Sequence, residues 1–129
     1  MIVNHIALWV KDLNGMRDFY VQHFHGTAGE LYFNSVKEFR SYFITFKEGV
    51  RLELMTQPDI RFSADRETKE FMGYCHMAFS LGSEEAVDCM TDKLNQAGFT
   101  IIDGPRLTGD GYYESVFLDP ENNRIELTV

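Results

Sequence analysis

The chain reads as an α+β fold: two βαβββ modules forming a curved mixed sheet around a cleft, with helices on the outer face. Three observations predict this. A short repeat matches Asn4-His5-Ile6-Ala7-Leu8 to Cys75-His76-Met77-Ala78-Phe79, and Arg51-Leu52-Glu53-Leu54 to Arg124-Ile125-Glu126-Leu127, in the same order. In each half the apolar residues pass from the alternation of a strand to helical spacing and back to alternation. Each helical stretch has a capping residue before it and a glycine after it.

Residues 2–10 alternate as a strand. Asp12 caps a helix whose apolar positions Leu13, Met16, Phe19, Tyr20 and Phe24 share a face, and Gly26 is the expected left-handed cap. Strands follow over 28–35, 39–46 and 50–57, the last two joined by a Lys47-Glu48-Gly49 turn, so module one spans 1–57. A polar linker covers 58–72, with room for a short helix between Pro58 and Lys69. Module two spans 73–129 and opens on a strand at 74–81. Ser83 caps its helix, and Glu84 and Glu85 occupy the first turn, where acids complement the helix dipole. Val87, Met90, Leu94 and Ala97 form the buried stripe, and Gly98 ends the helix. Strands follow near 99–106, 112–118 and 124–129, with Asp119-Pro120-Glu121-Asn122-Asn123 as the turn before the last.

Composition narrows the function classes. The chain has 129 residues, 44% of them hydrophobic and 25% charged, which suits a folded domain with a real core. Its net charge of −8 repels phosphate backbones, so nucleic acid is not an expected partner. No long apolar run is present, so no membrane span is expected, and no basic, apolar leader opens the sequence. Cys75 and Cys89 fall within predicted elements, as reduced thiols of a cytoplasmic protein, and Cys75, on the strand face opposite His76, is expected to be buried and structural.

Strand alternation sorts the four matched strands by face. Ile6, Leu8 and Val10, then Leu52 and Leu54, then Met77 and Phe79, then Ile125 and Leu127 form the faces that helices cover. The opposite faces carry His5, Ala7 and Trp9; Arg51, Glu53 and Met55; Tyr74, His76 and Ala78; and Arg124, Glu126 and Thr128. These faces are not plain core, and they hold two imidazoles and two carboxylates. That donor set suits one borderline divalent ion per chain, nickel, zinc, cobalt, iron or manganese, with positions left for water or substrate. Such an ion polarises a carbonyl, and a neighbouring carboxylate takes a proton from the adjacent carbon to give an enediolate.

The residues in these elements resemble the glyoxalase/bleomycin-resistance/extradiol-dioxygenase superfamily, the vicinal oxygen chelate proteins, over nearly the whole chain. The resemblance lies in Asn4-His5-Ile6-Ala7-Leu8-Trp9-Val10-Lys11-Asp12-Leu13, in Phe19-Tyr20, in Arg51-Leu52-Glu53-Leu54, in His76-Met77-Ala78-Phe79 and, most specifically, in Asp119-Pro120-Glu121-Asn122-Asn123-Arg124-Ile125-Glu126-Leu127. It implies paired βαβββ modules enclosing a metal cleft, and a homodimer in which modules of two chains combine. It further implies that His5, Glu53, His76 and Glu126 are metal ligands, as in bacterial glyoxalase I. The methylmalonyl-CoA epimerase branch usually has Gln in place of Glu53, and extradiol dioxygenases use three ligands. Glyoxalase I usually has an arginine where Trp9 stands, to hold a glutathione carboxylate. It also usually follows the glutamate with Asn-Trp-Gly, where this chain has Leu54-Met55-Thr56-Gln57.

Plainer readings stand beside these. Singly, a strand histidine is more often structural than a ligand, and Glu53 and Glu126 are more often salt-bridged to Arg51 and Arg124. His23 and His25 end the first helix, where a positive group favours the dipole, and they are not ligand candidates. Tyr42, Phe43 and Phe46 read as sheet core and cleft wall, and Tyr112, Tyr113 and Glu114, after a glycine turn, read either as a strand start or as residues that gate or line the pocket. The expected function is a metal-dependent, glyoxalase-like lyase or isomerase of a small oxygenated substrate. Glu126 is the first choice of base, Glu53 the second, and Trp9, Met55, Tyr74, Tyr113 and Arg124 are the candidate substrate contacts. A true lactoylglutathione lyase and a non-enzymatic, antibiotic-type binding protein are the alternatives.

Overall fold

The structure, a computed structural model, describes residues 2–61 and 73–129. The linker helix expected between Pro58 and Lys69 falls largely outside the described residues. The chain divides into two compact units, Met1–Phe62 and Ser63–Val129.

Module one contains β1 (His5–Trp9), α1 (Leu13–Phe24), β2 (Thr27–Ala28), β3 (Tyr32–Asn34), β4 (Phe39–Thr45) and β5 (Arg51–Thr56). Its sheet runs β1-β5-β4-β2, and β3 also pairs with β4. β1 lies parallel to β5, while the pairs made by β4 are antiparallel. The α1 side of the sheet is core: Leu13, Met16, Phe19 and Tyr20 are buried, as are Tyr42, Ile44, Leu52 and Leu54. Asp12 accepts from the Gly15 amide at 2.9 Å and starts α1 as expected.

Two details differ from expectation. The single strand expected over 28–35 is two short strands, β2 and β3, separated by Gly29-Glu30-Leu31. His25, at φ 55, makes the left-handed cap assigned above to Gly26. Gly26 is required for a different reason: a Cβ there would run into the Ile44 side chain and the Tyr20 carbonyl. The helix end thus passes close over β4, and glycine supplies space rather than backbone freedom.

Module two contains β6 (His76–Ser80), α2 (Glu84–Gln96), β7 (Ile101–Leu107), β8 (Tyr113–Leu118) and β9 (Arg124–Thr128), with sheet order β6-β9-β8-β7. β6 lies parallel to β9, as β1 does to β5. Ser83 accepts from the Ala86 amide at 3.2 Å, and Gly98 takes φ +93 just beyond the helix. On the α2 side, Val87, Leu94, Phe117, Ile125 and Leu127 are buried, and Thr91 Oγ1 meets Ser115 Oγ at 2.6 Å. Cys75 corrects an expectation: it precedes β6 and is exposed, and Cys89, on α2, is exposed as well. No described helix is long and apolar enough to cross a membrane.

Candidate functional site

The two modules build the same local arrangement. In module one, parallel pairing sets His5 beside Arg51, Ala7 beside Glu53 and Trp9 beside Met55. Paired residues in register project to the same face, so His5 and Glu53 meet on the side away from α1. His5 Nε2 lies 3.7 Å from Glu53 Oε2, with the side chains 40% and 16% exposed. In module two, His76 pairs with Arg124 and Ala78 with Glu126. His76 Nε2 lies 3.3 Å from Glu126 Oε2, with side-chain exposures of 42% and 15%. The sheet that buries leucines on one side therefore leaves a half-shielded carboxylate and a more open imidazole on the other.

Both separations are wide for a strong hydrogen bond. They approach the roughly 3.0–3.4 Å between neighbouring donors of an ion whose bonds are near 2.1 Å. The chemistry of the donors fits a borderline divalent ion. Among the described residues no group of three or more His, Cys, Asp or Glu side chains gathers as a metal centre. Each module by itself presents two donors.

The surroundings of the pairs differ. In module one, Asn4 Oδ1 lies 2.9 Å from His5 Nδ1 and accepts from Arg51 Nη2 at 2.6 Å. The Arg51 guanidinium lies 4.4 Å over the Phe43 ring, whose centroid is 5.3 Å from that of His5 in an edge-on contact. In module two, Arg124 Nη1 reaches Cys75 Sγ at 3.8 Å. Glu114 on β8 is cross-strand from Thr128, on the face of β9 that carries Glu126. Burial and, next, the charge of Glu126 push the Glu114 carboxyl above its ordinary range, while Arg106, 4.0 Å away, opposes them. Thr128 Oγ1 is buried and, among the described residues, has no hydrogen-bond partner.

The substrate candidates scatter. Trp9 and Met55 are paired on the His5–Glu53 face, and Trp9 stands edge-on to Phe39 at 6.1 Å, with Tyr32 another 6.1 Å beyond Phe39. Arg124 shares the face of Glu126. Tyr74 is fully exposed ahead of β6. Tyr113 takes the other side of its sheet, where its hydroxyl donates to Asp88 on α2 at 2.7 Å. Asn4 and Thr128 are not among the sequence candidates, whereas Glu114 is, with Tyr112 and Tyr113, one of the residues that could line the pocket. Asn4 and Arg51 had a signal, since both belong to the repeat, at the positions Cys75 and Arg124 occupy in the other half. Thr128 has none beyond alternation.

This fold is that of a known family. The chain belongs to the Glyoxalase/Bleomycin resistance protein/Dioxygenase superfamily, whose model matches residues 2–127. It is 28% identical over 128 residues to the uncharacterized protein YqjT of Bacillus subtilis, covering 97% of this chain and 96% of that one. A glyoxalase family protein from Enterococcus faecalis superposes with a TM-score of 0.79 at 20% identity, covering 98% of this chain and 96% of that one. The trypanothione-dependent glyoxalase I of Leishmania major superposes with a TM-score of 0.77 at 17% identity, covering 99% and 86%. At these identities the structural likenesses speak to the fold.

Proposed function

We propose that His5, Glu53, His76 and Glu126 hold one divalent metal ion per chain, two donors from each module, at a glyoxalase-like lyase or isomerase site. The observation that carries this reading is the duplicated pair: two imidazole–carboxylate contacts at 3.7 and 3.3 Å, with nearly equal exposures, on matching strands. Accidental neighbours have no reason to recur at the same register in both halves.

A divalent ion bound there supplies a Lewis acid for a carbonyl oxygen. The remaining chemistry belongs to the chain. Glu126 takes a proton from the carbon beside that carbonyl and returns it to the neighbouring carbon, and Glu53 is the second choice for this role. Trp9 and Met55 supply an apolar wall beside His5 and Glu53. Trp9 has no charge with which to hold a glutathione carboxylate, so a substrate other than a glutathione adduct fits this wall better.

Calorimetric titration of chelator-stripped protein with nickel, zinc, cobalt and manganese tests the reading. We expect about one ion per chain, lost in His5→Ala and equally in His76→Ala. No binding of any of the four ions by the wild-type chain would sink it. The same wild-type protein then tests the antibiotic-type binding alternative, which predicts tight capture of a cationic aromatic drug without metal. Robust turnover of methylglyoxal hemithioacetal would instead establish the lactoylglutathione lyase.

A further inference from the structure

The orientation of His5 is set by a chain of contacts that begins at Arg51. A guanidinium offers only donors, so the Asn4 amide atom 2.6 Å from Arg51 Nη2 must be the oxygen. That same oxygen lies 2.9 Å from His5 Nδ1. An oxygen already accepting from Arg51 has no proton to give, so Nδ1 must donate. In the neutral imidazole the other nitrogen, Nε2, is then a bare acceptor. It faces Glu53 Oε2, a second acceptor, at 3.7 Å. Two lone pairs face each other there, and a cation between them turns the contact favourable. Arg51 is itself held, with its guanidinium on the Phe43 ring and the same ring edge-on to His5. Asn4, Arg51 and Phe43 therefore close a ring of contacts with the imidazole.

We propose that Asn4 and Arg51 are positioning residues that lock His5 in its Nδ1–H tautomer and present Nε2 toward Glu53. This rests on the metal reading only for what Nε2 then binds. Module two is built differently at the matching position, since Cys75 replaces Asn4 and Arg124 reaches its sulfur, a weaker acceptor than an amide oxygen. The lock is thus a property of one histidine of the two, and His76 serves as the internal reference.

Long-range proton–nitrogen NMR on the full chain, metal-free and at a pH where both imidazoles are neutral, reads the tautomer directly. We expect His5 of the wild type to show a protonated Nδ1 and a bare Nε2. Asn4→Leu should lose that pattern at His5 and leave His76 unchanged, and Asn4→Asp, which keeps the acceptor, should restore it. In calorimetric titration with cobalt, Asn4→Leu should bind about 10–100-fold more weakly and Asn4→Asp should recover. A protonated Nε2 on wild-type His5, or an unchanged His5 pattern in Asn4→Leu, would overturn the proposal. The two readings fail separately, because the NMR result needs no metal: a chain that binds no cobalt yet shows the expected tautomer pattern defeats the metal reading alone. Asn4 is exposed, so the substitution does not cut into the core.

Discussion

Glu53 and Glu126 are the same residue at matching positions, yet the structure gives them different neighbours. Glu53 is registered with Phe43 across β4, an aromatic ring that carries Arg51 on its face. Glu126 is registered with Val116 and shares its face with Glu114, a further carboxylate. Module two therefore concentrates acid groups where proton transfer is proposed, and module one surrounds its carboxylate with a ring and an apolar wall. Replacing Glu126 by Gln should leave ion binding detectable but weaker. It should also slow deuterium uptake from heavy water at the carbon beside the carbonyl of a small α-hydroxyketone by about 100-fold or more. Exchange at the wild-type rate would remove Glu126 from the role of base. The face of each of these glutamates was legible in the sequence, because alternation along a strand needs no tertiary information. The difference between their neighbourhoods was not, because it depends on which strand pairs with which.

At the scale of elements, a turn and a close contact between strands constrain the sheet that carries Glu126. Asp119 is buried, and its Oδ1 accepts from the amides of Glu121 and Asn123, each at 2.9 Å, as well as from the Asn123 side chain. Asn122 takes φ 62 within that turn. The most family-specific stretch of the sequence is thus the clamp that turns the chain from β8 into β9 and delivers Glu126. Asp119→Ala leaves those donors without their acceptor and should cost about 1–3 kcal/mol, read as a lowered midpoint in urea unfolding. A second constraint lies on β7, where Gly104 has φ +76 and a Cβ would run into the Glu114 carbonyl and the Ser115 backbone. Gly104→Ala should destabilise the chain by at least about 1–3 kcal/mol, from the left-handed backbone and the backbone clash together. If its stability matched the wild type, the close approach of β7 to β8 would not be tight. In the core, Leu54 is fully buried beneath α1, and Leu54→Ala should cost about 2–5 kcal/mol. The 28–35 segment shows why one element was misread. Tyr32 and Phe33 have strand character, but Gly29 breaks the run, and only the pairing partner on β4 decides where each short strand sits.

At the scale of the molecule, the proposed four-donor set would make function depend on both halves at once. A change confined to one module, such as His76→Ala, should abolish ion binding as fully as its counterpart His5→Ala. Retained stoichiometry in either variant would show that four donors are not needed. The family resemblance also leads us to expect a homodimer, with a sedimentation mass about twice the 14.9 kDa of the chain. A monomer in solution would confine the ligand set to one chain. The net charge of −8 favours metal cations in the neighbourhood and disfavours polyanions.

Periodicity, capping residues and the repeat determined the modules by themselves, because each is a local property of the backbone: two-residue alternation, helical spacing, and an Asp or Ser ahead of each helix. They also determined which face of each strand carries His5, Glu53, His76 and Glu126. The tertiary structure decided what stands around those residues. Exposure of Cys75 followed from where β6 starts, which a strand pattern does not contain. Tyr113 joined Asp88 because β8 turns that side toward α2. Asn4 reached His5 and Arg51 together only because β1 and β5, 47 positions apart at that contact, run side by side in parallel. Local order specifies faces, whereas contacts between side chains distant in sequence require the register of one strand on another, and that register is fixed by packing the core.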